Sequence, residues 1–412
     1  MTKNLIKRDI LDEILKYINI DDVLVLHGAR QVGKTSIMLY LQDQLNADGE
    51  KTYFFDLEDS RKTEILDAGV ENFLSYLEGA GFDWGELSLS DKKLFVFIDE
   101  IQNLKKPSSF LKLLADHHKY LKLIVSGSSS FDIKNKFSDS LVGRIVNFEV
   151  FNLSFSEFLR FKSINYNLEQ VSKLGKGPIF EDIIRMYREY VFYGGYPKIV
   201  LQDSIEIKEK YLQIIIDTYV RKDIRDLANI VEIEKFNNLL KVLAAQSGQL
   251  LSVSATASTI GLAAQTVEQY LSILENTYII KLVHPFSRSA NVEVSKAPKI
   301  FFYDTGLLQV LRYKELGARI SGDLFETSVF AELVKKYGRE HIYFWRTHRH
   351  AEVDFVLDLR ASLLPIEVKT NFRNFQKHAV GSFCQKYRAK DYKVVGLEGK
   401  KKDEHCVYPW EL

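Results

Sequence analysis

Eight residues near the start of the chain, Gly28-Ala29-Arg30-Gln31-Val32-Gly33-Lys34-Thr35, restrict its fold more than any others. They fill the pattern GxxxxGK[ST], after the apolar run Val23-Leu24-Val25-Leu26-His27 and before a helical stretch that continues from Ser36. A loop that cradles phosphate requires this strand–loop–helix context. Gly28 and Gly33 let the backbone turn tightly, so that its N–H groups wrap an anion. The helix that follows points its positive end at the same anion. Lys34 reaches the outer phosphates of a nucleotide, and the Thr35 hydroxyl ligates Mg²⁺.

A second motif supports the first. Leu94-Phe95-Val96-Phe97-Ile98-Asp99-Glu100 reads as a buried strand ending in two acids. Asp99 is the candidate Mg²⁺ partner and Glu100 the candidate base that polarises the attacking water. The pair argues for hydrolysis rather than nucleotide storage. Two further signals are weaker. Ser126 or Ser128, at the end of LKLIVSGSSS, is placed to sense the outer phosphate; a plain Ser/Gly turn is the alternative. Arg144, in LVGRIVNFEV, is placed to face a neighbouring subunit's nucleotide in trans; a surface salt bridge is the alternative.

The flanks carry the pattern of a layered fold. Between about 21 and 150, strand-like runs (VLVLHG, TYFFDLE, KLFVFIDE, LKLIVSGSS, IVNFEVF) alternate with helical stretches. That alternation predicts a parallel sheet with helical cover. Ahead of it, Ile10, Leu11, Ile14, Leu15 and Ile18 share one face of an amphipathic helix. Residues 151–235 turn helical, broken by Gly-Gly-Tyr-Pro at Gly194–Pro197. Residues 236–298 read as three helices and a short hairpin. From 299 to 412 the pattern returns to mixed α and β, with strands at IYFWR, AEVDFVLDL, LPIEVK and YKVVGL.

Residues 1–235 resemble an AAA+ ATPase of the prokaryotic group whose loop reads GxRQxGKT and whose second motif reads DEIQ. Here these stand as GARQVGKT (28–35) and IDEIQ (98–102). The VGRI stretch and Tyr193-Gly194-Gly195-Tyr196-Pro197 resemble that group as well. The resemblance implies ATP binding and hydrolysis with Mg²⁺, on a cofactor site of Gly28 through Ser36 with Asp99 and Ser128. It also implies a ring-like homo-oligomer, which would give Arg144 its role. Arg221 and Arg225 are the candidates for the group's second sensor arginine.

The middle of the chain has a helix-turn-helix layout. Ser254–Gly261 reads as helix and turn, and Ala264–Leu271 opens a second helix. Val267, Leu271 and Leu274 form its apolar stripe, leaving Gln265, Thr266 and Gln269 outward, where amide and hydroxyl groups suit base edges or phosphates. The stretch that follows predicts a wing with Lys281, His284, Arg288 and Lys296. Against DNA contact, this helix carries Glu268 and Glu275 and no Lys or Arg, and a winged helix used only for packing is the alternative.

The last constellation is Glu326, Asp354, Glu367 and Lys369. Glu367 and Lys369 are two residues apart, so a strand puts both on one face. Charged groups in apolar strands are costly without a partner. Carboxylate oxygens suit Mg²⁺ or Mn²⁺. Such an ion would polarise a phosphodiester and activate water, with Lys369 orienting that water or stabilising developing charge. Residues 299–412 resemble the PD-(D/E)XK nuclease superfamily, with Asp354, Glu367 and Lys369 as core and Glu326 as the helix acid. The usual Pro before the first acid is replaced by Val353, and such domains also persist as inactive DNA-binding modules. A buried ion pair of Lys369 with Asp354 or Glu367 is the bland alternative.

Composition adds limits. The net charge of +1 names no partner. Residues 299–412 hold 20 Lys and Arg against 15 Asp and Glu, an excess that fits nucleic-acid backbone contact. Cys384 and Cys406 are too few for a disulfide scaffold or a cysteine zinc site and fit a reducing compartment. No apolar run is long enough to span a bilayer.

The expected fold class is α/β. It comprises a P-loop AAA+ parallel-sheet core (1–150), a helical lid (151–235), a winged helix-turn-helix (236–298) and a restriction-endonuclease-like domain (299–412). The expected protein is a cytoplasmic, oligomeric ATPase with DNA as partner and no membrane. ATP and Mg²⁺ are its cofactors, with Mn²⁺ an option at the C-terminal site. The alternatives are a nucleotide-gated DNA-binding scaffold with a dead nuclease fold, or a switch acting on protein partners.

Overall fold

The computed structural model of the 412-residue chain describes residues 5–89, 92–127, 141–223, 232–289, 296–313, 319–347 and 351–412. The chain forms two compact units, Met1–Phe151 and Asn152–Leu412.

In the first unit, α1 (Ile10–Ile14) precedes β1 (Val23–His27). The phosphate loop leads into α2 (Lys34–Ala47), followed by β2 (Lys51–Asp56), α3 (Ser60–Asp67), α4 (Val70–Gly79) and α5 (Trp84–Leu89). Then come β3 (Leu94–Asp99), α6 (Pro107–His117), β4 (Leu121–Gly127) and β5 (Ile145–Glu149). All five strands run parallel in the order β2-β3-β4-β1-β5. The three central strands are buried at every residue, the behaviour of a sheet covered on both faces. The order matters for chemistry. β4 lies between β1 and β3, so the phosphate loop, Ser126 and the acids of β3 share the carboxyl edge of the sheet. In open α/β sheets, ligands bind at that edge.

One buried charge breaks the apolar pattern. Lys122 on β4 is fully buried. Its ammonium donates to the carbonyls of Tyr17 (3.0 Å), Ile20 (2.6 Å) and Asp22 (2.7 Å). These carbonyls lie at and just beyond the end of the N-terminal helical segment, where backbone acceptors run short of helical partners. A cation there ties that segment to the sheet.

The second unit opens with helices α7 (Phe155–Phe161), α8 (Leu168–Leu174), α9 (Pro178–Tyr193), α10 (Pro197–Val200) and α11 (Ile205–Ile215). A π-helical stretch, Ile216–Asp223, continues α11. Next come α12 (Ile233–Ala245), α13 (Val253–Ile260), α14 (Ala264–Asn276) and the antiparallel pair β6 (Ile280–Val283) and β7 (Lys299–Phe302). The sequence boundary expected at 298/299 therefore falls inside a paired hairpin. The remaining elements are α15 (Thr305–Tyr313), α16 (Gly322–Tyr337), β8 (Ile342–Arg346), β9 (Glu352–Asp358), β10 (Leu363–Asn371), α17 (His378–Tyr387), β11 (Lys393–Glu398) and β12 (Cys406–Val407). The sheet order is β12-β11-β10-β9-β8, antiparallel among β8–β10 and parallel among β10–β12. Phe330 of α16 stacks on Phe301 and Phe355, while Val380 and Phe383 of α17 cluster with Val353, Val356 and Val394.

The Gly-Gly-Tyr-Pro break has a structural cause. Asp304, buried between β7 and α15, accepts hydrogen bonds from Asn152 Nδ2 (2.5 Å), Gly195 N (2.8 Å) and Leu307 N (2.9 Å). Gly194 has φ +76°, and a Cβ there would lie 2.2 Å from an Asp304 oxygen. Only glycine lets the backbone come so close to that carboxylate. Burial raises the Asp304 pKa, with its three hydrogen bonds pulling it back. Among the described residues, no helix is long and apolar enough to cross a membrane.

Candidate functional site

The loop Gly28–Thr35 has the geometry its sequence demands. Gly28 (φ +158°) sits against Val150, whose carbonyl oxygen would lie 2.0 Å from an added Cβ. Gly33 (φ +99°) is left-handed at the N-cap of α2, a conformation glycine adopts without strain. Gln31 also has positive φ, +64°. Ala29 and Val32 are buried, whereas Arg30, Gln31, Thr35 and Ser36 are exposed. Lys34 is buried, and its ammonium donates to the carbonyls of Gly28 (3.1 Å) and Ala29 (2.8 Å).

The edge brings the expected acids to this loop. The Thr35 hydroxyl donates to Asp99 Oδ2 at 2.6 Å. The buried Ser126 hydroxyl donates to Asp99 Oδ1, so one carboxylate is gripped from helix α2 and from the neighbouring strand β4. Oxygen donors side by side on Thr35 and Asp99 suit a hard cation such as Mg²⁺. Glu100 takes a left-handed backbone (φ +54°) that turns it out of β3. Its N–H donates to Asp99 Oδ1 (3.1 Å) and to Ser126 Oγ (3.3 Å). Gln102 Nε2 donates to the Glu100 carboxylate, a contact the sequence did not announce. Burial raises the Glu100 pKa above the usual carboxylate range, against the opposing pull of Lys34.

Burial pushes Lys34 in the other direction, down to about 8, with Glu100 and Asp99 opposing the shift. The ordinary value is 10.5, so the folded loop sheds this proton before the unfolded chain does. Stability therefore rises with pH between these two values. A phosphate group prefers the charged lysine. Above about pH 8, binding must take up a proton, and affinity for ATP should fall towards tenfold per pH unit. Calorimetry at pH 7 and pH 9.5, in buffers of different ionisation enthalpy, reads both the loss and the proton.

Other expected residues stand apart. Arg144 Nε is 2.6 Å from Asp116, so its guanidinium is engaged within its own unit. Ser128 and Arg225 lie outside the described residues, as does the side chain of Arg221. Arg8, which sequence reasoning passed over, donates to Val32 O in the loop (2.8 Å) and to Phe151 O (2.9 Å).

In the second unit, Gln265 and Gln269 of α14 are exposed, Thr266 is half-buried, and Val267, Leu271 and Leu274 are buried, as the stripe predicts. Lys281 pairs with Glu275 at 2.8 Å. His284 is half-buried, and Arg288 and Lys296 are exposed.

The C-terminal acids do come together, but in the company of lysines. Lys369 Nζ is 2.7 Å from Glu367 Oε1 and 3.3 Å from Asp354 Oδ2, which also accepts from Val368 N at 2.7 Å. Glu326 Oε1 meets Lys299 at 3.1 Å, and Lys299 also holds Glu352 Oε1 at 2.7 Å. Neither Lys299 nor Glu352 was picked out from sequence, although a lysine opening the apolar run KIFF carries the same signal that marked Asp354.

Burial and then the Asp354 charge push Glu326 up to about 8 and Glu367 up to about 7. Among the described residues, no group of three or more His, Cys, Asp or Glu side chains is arranged to hold a metal. Glu367 Oε2, however, is buried without a hydrogen-bond partner beside Asp354. A divalent cation between Asp354 and Glu367 fits that orphaned oxygen. His348, Arg349 and His350 lie outside the described residues.

Comparison with known proteins agrees with the first unit. Residues 20–159 match a family described as AAA domain. Residues 184–318 and 321–411 match two domains of unknown function (DUF8612 and DUF4143). A Haemophilus influenzae protein is 26% identical over 345 residues, covering 82% of this chain and 80% of its own. A Methanocaldococcus jannaschii protein is 23% identical over 431 residues, covering 98% and 87%. Both are described as uncharacterized.

Among solved structures, PCH-2 of C. elegans aligns with a TM-score of 0.33 at 15% identity, over 53% of this chain and 66% of that one. Cdc6p of Pyrobaculum aerophilum aligns at 0.30 and 13%, over 68% and 90%. At such low overall superposition the assignment rests on strand order, loop geometry and the matched family. The first unit carries a P-loop domain of the AAA type.

Proposed function

We propose that the chain is an ATP-hydrolysing switch whose first unit binds Mg²⁺-ATP and whose second unit acts on DNA. The convergence of Lys34, Thr35, Asp99, Ser126 and Glu100 at one sheet edge carries the ATPase part of this reading. In it, the loop N–H groups and Lys34 hold the phosphates. Thr35 and Asp99 would hold Mg²⁺, which neutralises charge on the phosphates. Glu100, anchored through its N–H and made more basic by burial, takes the proton of the attacking water. Ser126 positions Asp99, and Ser128 stays a candidate sensor of the outer phosphate. Arg144 would serve a neighbouring subunit's nucleotide only after leaving Asp116, so oligomerisation is part of the proposal.

Lys34→Ala tests the site. It removes the buried ammonium that the phosphates would meet, and measurable ATP binding and turnover should disappear. Wild-type turnover in this variant would sink the assignment.

The second unit is read as a helical lid (151–235), a winged helix (236–298) and a nuclease-like domain (299–412). Asp354 and Glu367 would hold one divalent cation, which supplies Lewis acidity towards a phosphodiester; Lys369 orients the attacking water. The unpartnered Glu367 Oε2 supports this reading. The lysine pairing of the same acids supports a second one, a DNA-binding scaffold whose nuclease fold does not cut. Cleavage assays on duplex, single-stranded and branched DNA with Mg²⁺ or Mn²⁺, run beside Lys369→Ala, separate the two.

A further inference from the structure

The acid cluster of the second unit has a feature its sequence pattern lacks. Lys299 enters it from β7, which pairs with β6, and its side chain is only 4% exposed. Its ammonium bridges Glu352 (2.7 Å) and Glu326 (3.1 Å). The hairpin position is firmly held. Gly248 N donates to Ile300 O (2.7 Å) and Ile300 N to Gln249 O (3.1 Å), and Lys299 itself pairs with Val283 of β6 on one side and bridges Leu250 on the other.

The pairing of the charges shows what the site can take. Four carboxylates gather here: Glu326, Glu352, Asp354 and Glu367. Among the described residues, three cations pair with them: Lys299, Lys369, and Arg346, which lies 3.5 Å from Glu352. The unsatisfied oxygen is on Glu367, whose side chain is nine-tenths buried, and it lies at the Asp354 end of the cluster. An ammonium lies between two carboxylates at each end, Lys299 between Glu326 and Glu352 and Lys369 between Glu367 and Asp354, but only the second leaves a buried carboxylate oxygen, Glu367 Oε2, without a partner among the described residues. Buried charges persist when paired. A lysine so placed does for Glu326 and Glu352 what a bound cation would otherwise do.

We propose that Lys299 is a built-in counter-cation that fills the place of a second divalent ion, so that the site takes one such ion and not two. This rests on the reading of Asp354 and Glu367 as a cation site. Lys299 is thereby a positioning residue: it holds Glu326 and leaves cation binding to the Asp354–Glu367 pair.

The test counts ions. Nucleotide-free, full-length protein is titrated with Mn²⁺, and free Mn²⁺ is read by electron paramagnetic resonance. Asp354→Asn supplies the background, and thermal melts by circular dichroism establish that each variant is folded. Lys299→Gln should bind one more Mn²⁺ per chain than the wild type, and Lys299→Arg should match the wild type. Lys299→Met, apolar and of similar length, is a second neutral variant should the glutamine fail to fold.

One Mn²⁺ in the wild type, unchanged in both neutral variants, overturns the role of Lys299 and leaves the cation site standing. No Mn²⁺ in any variant overturns both. No Mn²⁺ in the wild type but one in Lys299→Gln overturns the one-ion native site.

Discussion

Glu100→Gln should still bind ATP but split it roughly 10²–10⁴-fold more slowly, the range expected when a general base is removed. The substitution keeps the shape of the side chain. It leaves intact the backbone that aims it, because the anchoring bonds run from the Glu100 N–H to Asp99 and Ser126. It also leaves an oxygen to accept from Gln102. What it removes is the capacity to take a proton. Burial has raised that capacity, and a base whose pKa moves towards neutrality transfers protons more effectively at physiological pH. Equilibrium binding of a fluorescent ATP analogue and single-turnover hydrolysis separate the two effects. Unchanged hydrolysis would place the base elsewhere on the edge; lost binding would make Glu100 part of the cradle.

The second large effect concerns stability. Asp304→Ala should destabilise the second unit by about 3–5 kcal/mol, since each buried donor left unsatisfied costs about 1–3 kcal/mol. Three donors lose this acceptor: the N–H groups of Gly195 and Leu307, and the Asn152 amide, which keeps only a long bond to Tyr303 O (3.4 Å). Water cannot fully replace the carboxylate, because Gly194 and Gly306 bring backbone against it on two sides. Urea unfolding of the full chain, followed by tryptophan fluorescence, reads the change. All three tryptophans contribute, and two of them, Trp345 and Trp410, lie in the second unit. A loss under about 1 kcal/mol, the worth of a single ordinary hydrogen bond, would refute the clasp.

The two motifs of the first unit were legible because each is local. A run such as LFVFIDE states its own burial, and GARQVGKT states its own turn. A parallel sheet covered on both faces writes its strands as unbroken apolar runs, which is why the five strands appeared in sequence. What stayed hidden is held by distant partners. Lys122 looks like a surface lysine in LKLIV until the carbonyls about a hundred residues earlier are seen around it. The Gly-Gly-Tyr-Pro break was visible, but Asp304, the reason for it, lies more than a hundred residues further on. Lys299 and Glu352 were missed in the same way. Their pairing joins a hairpin, a helix and a sheet strand that no local pattern connects.

Arg8 fastens Phe151 O, the last carbonyl of the first unit, to Val32 O of the phosphate loop. The rim of the cradle and the exit of its own unit thus share a single mooring, and a variant that frees the guanidinium slackens both at once.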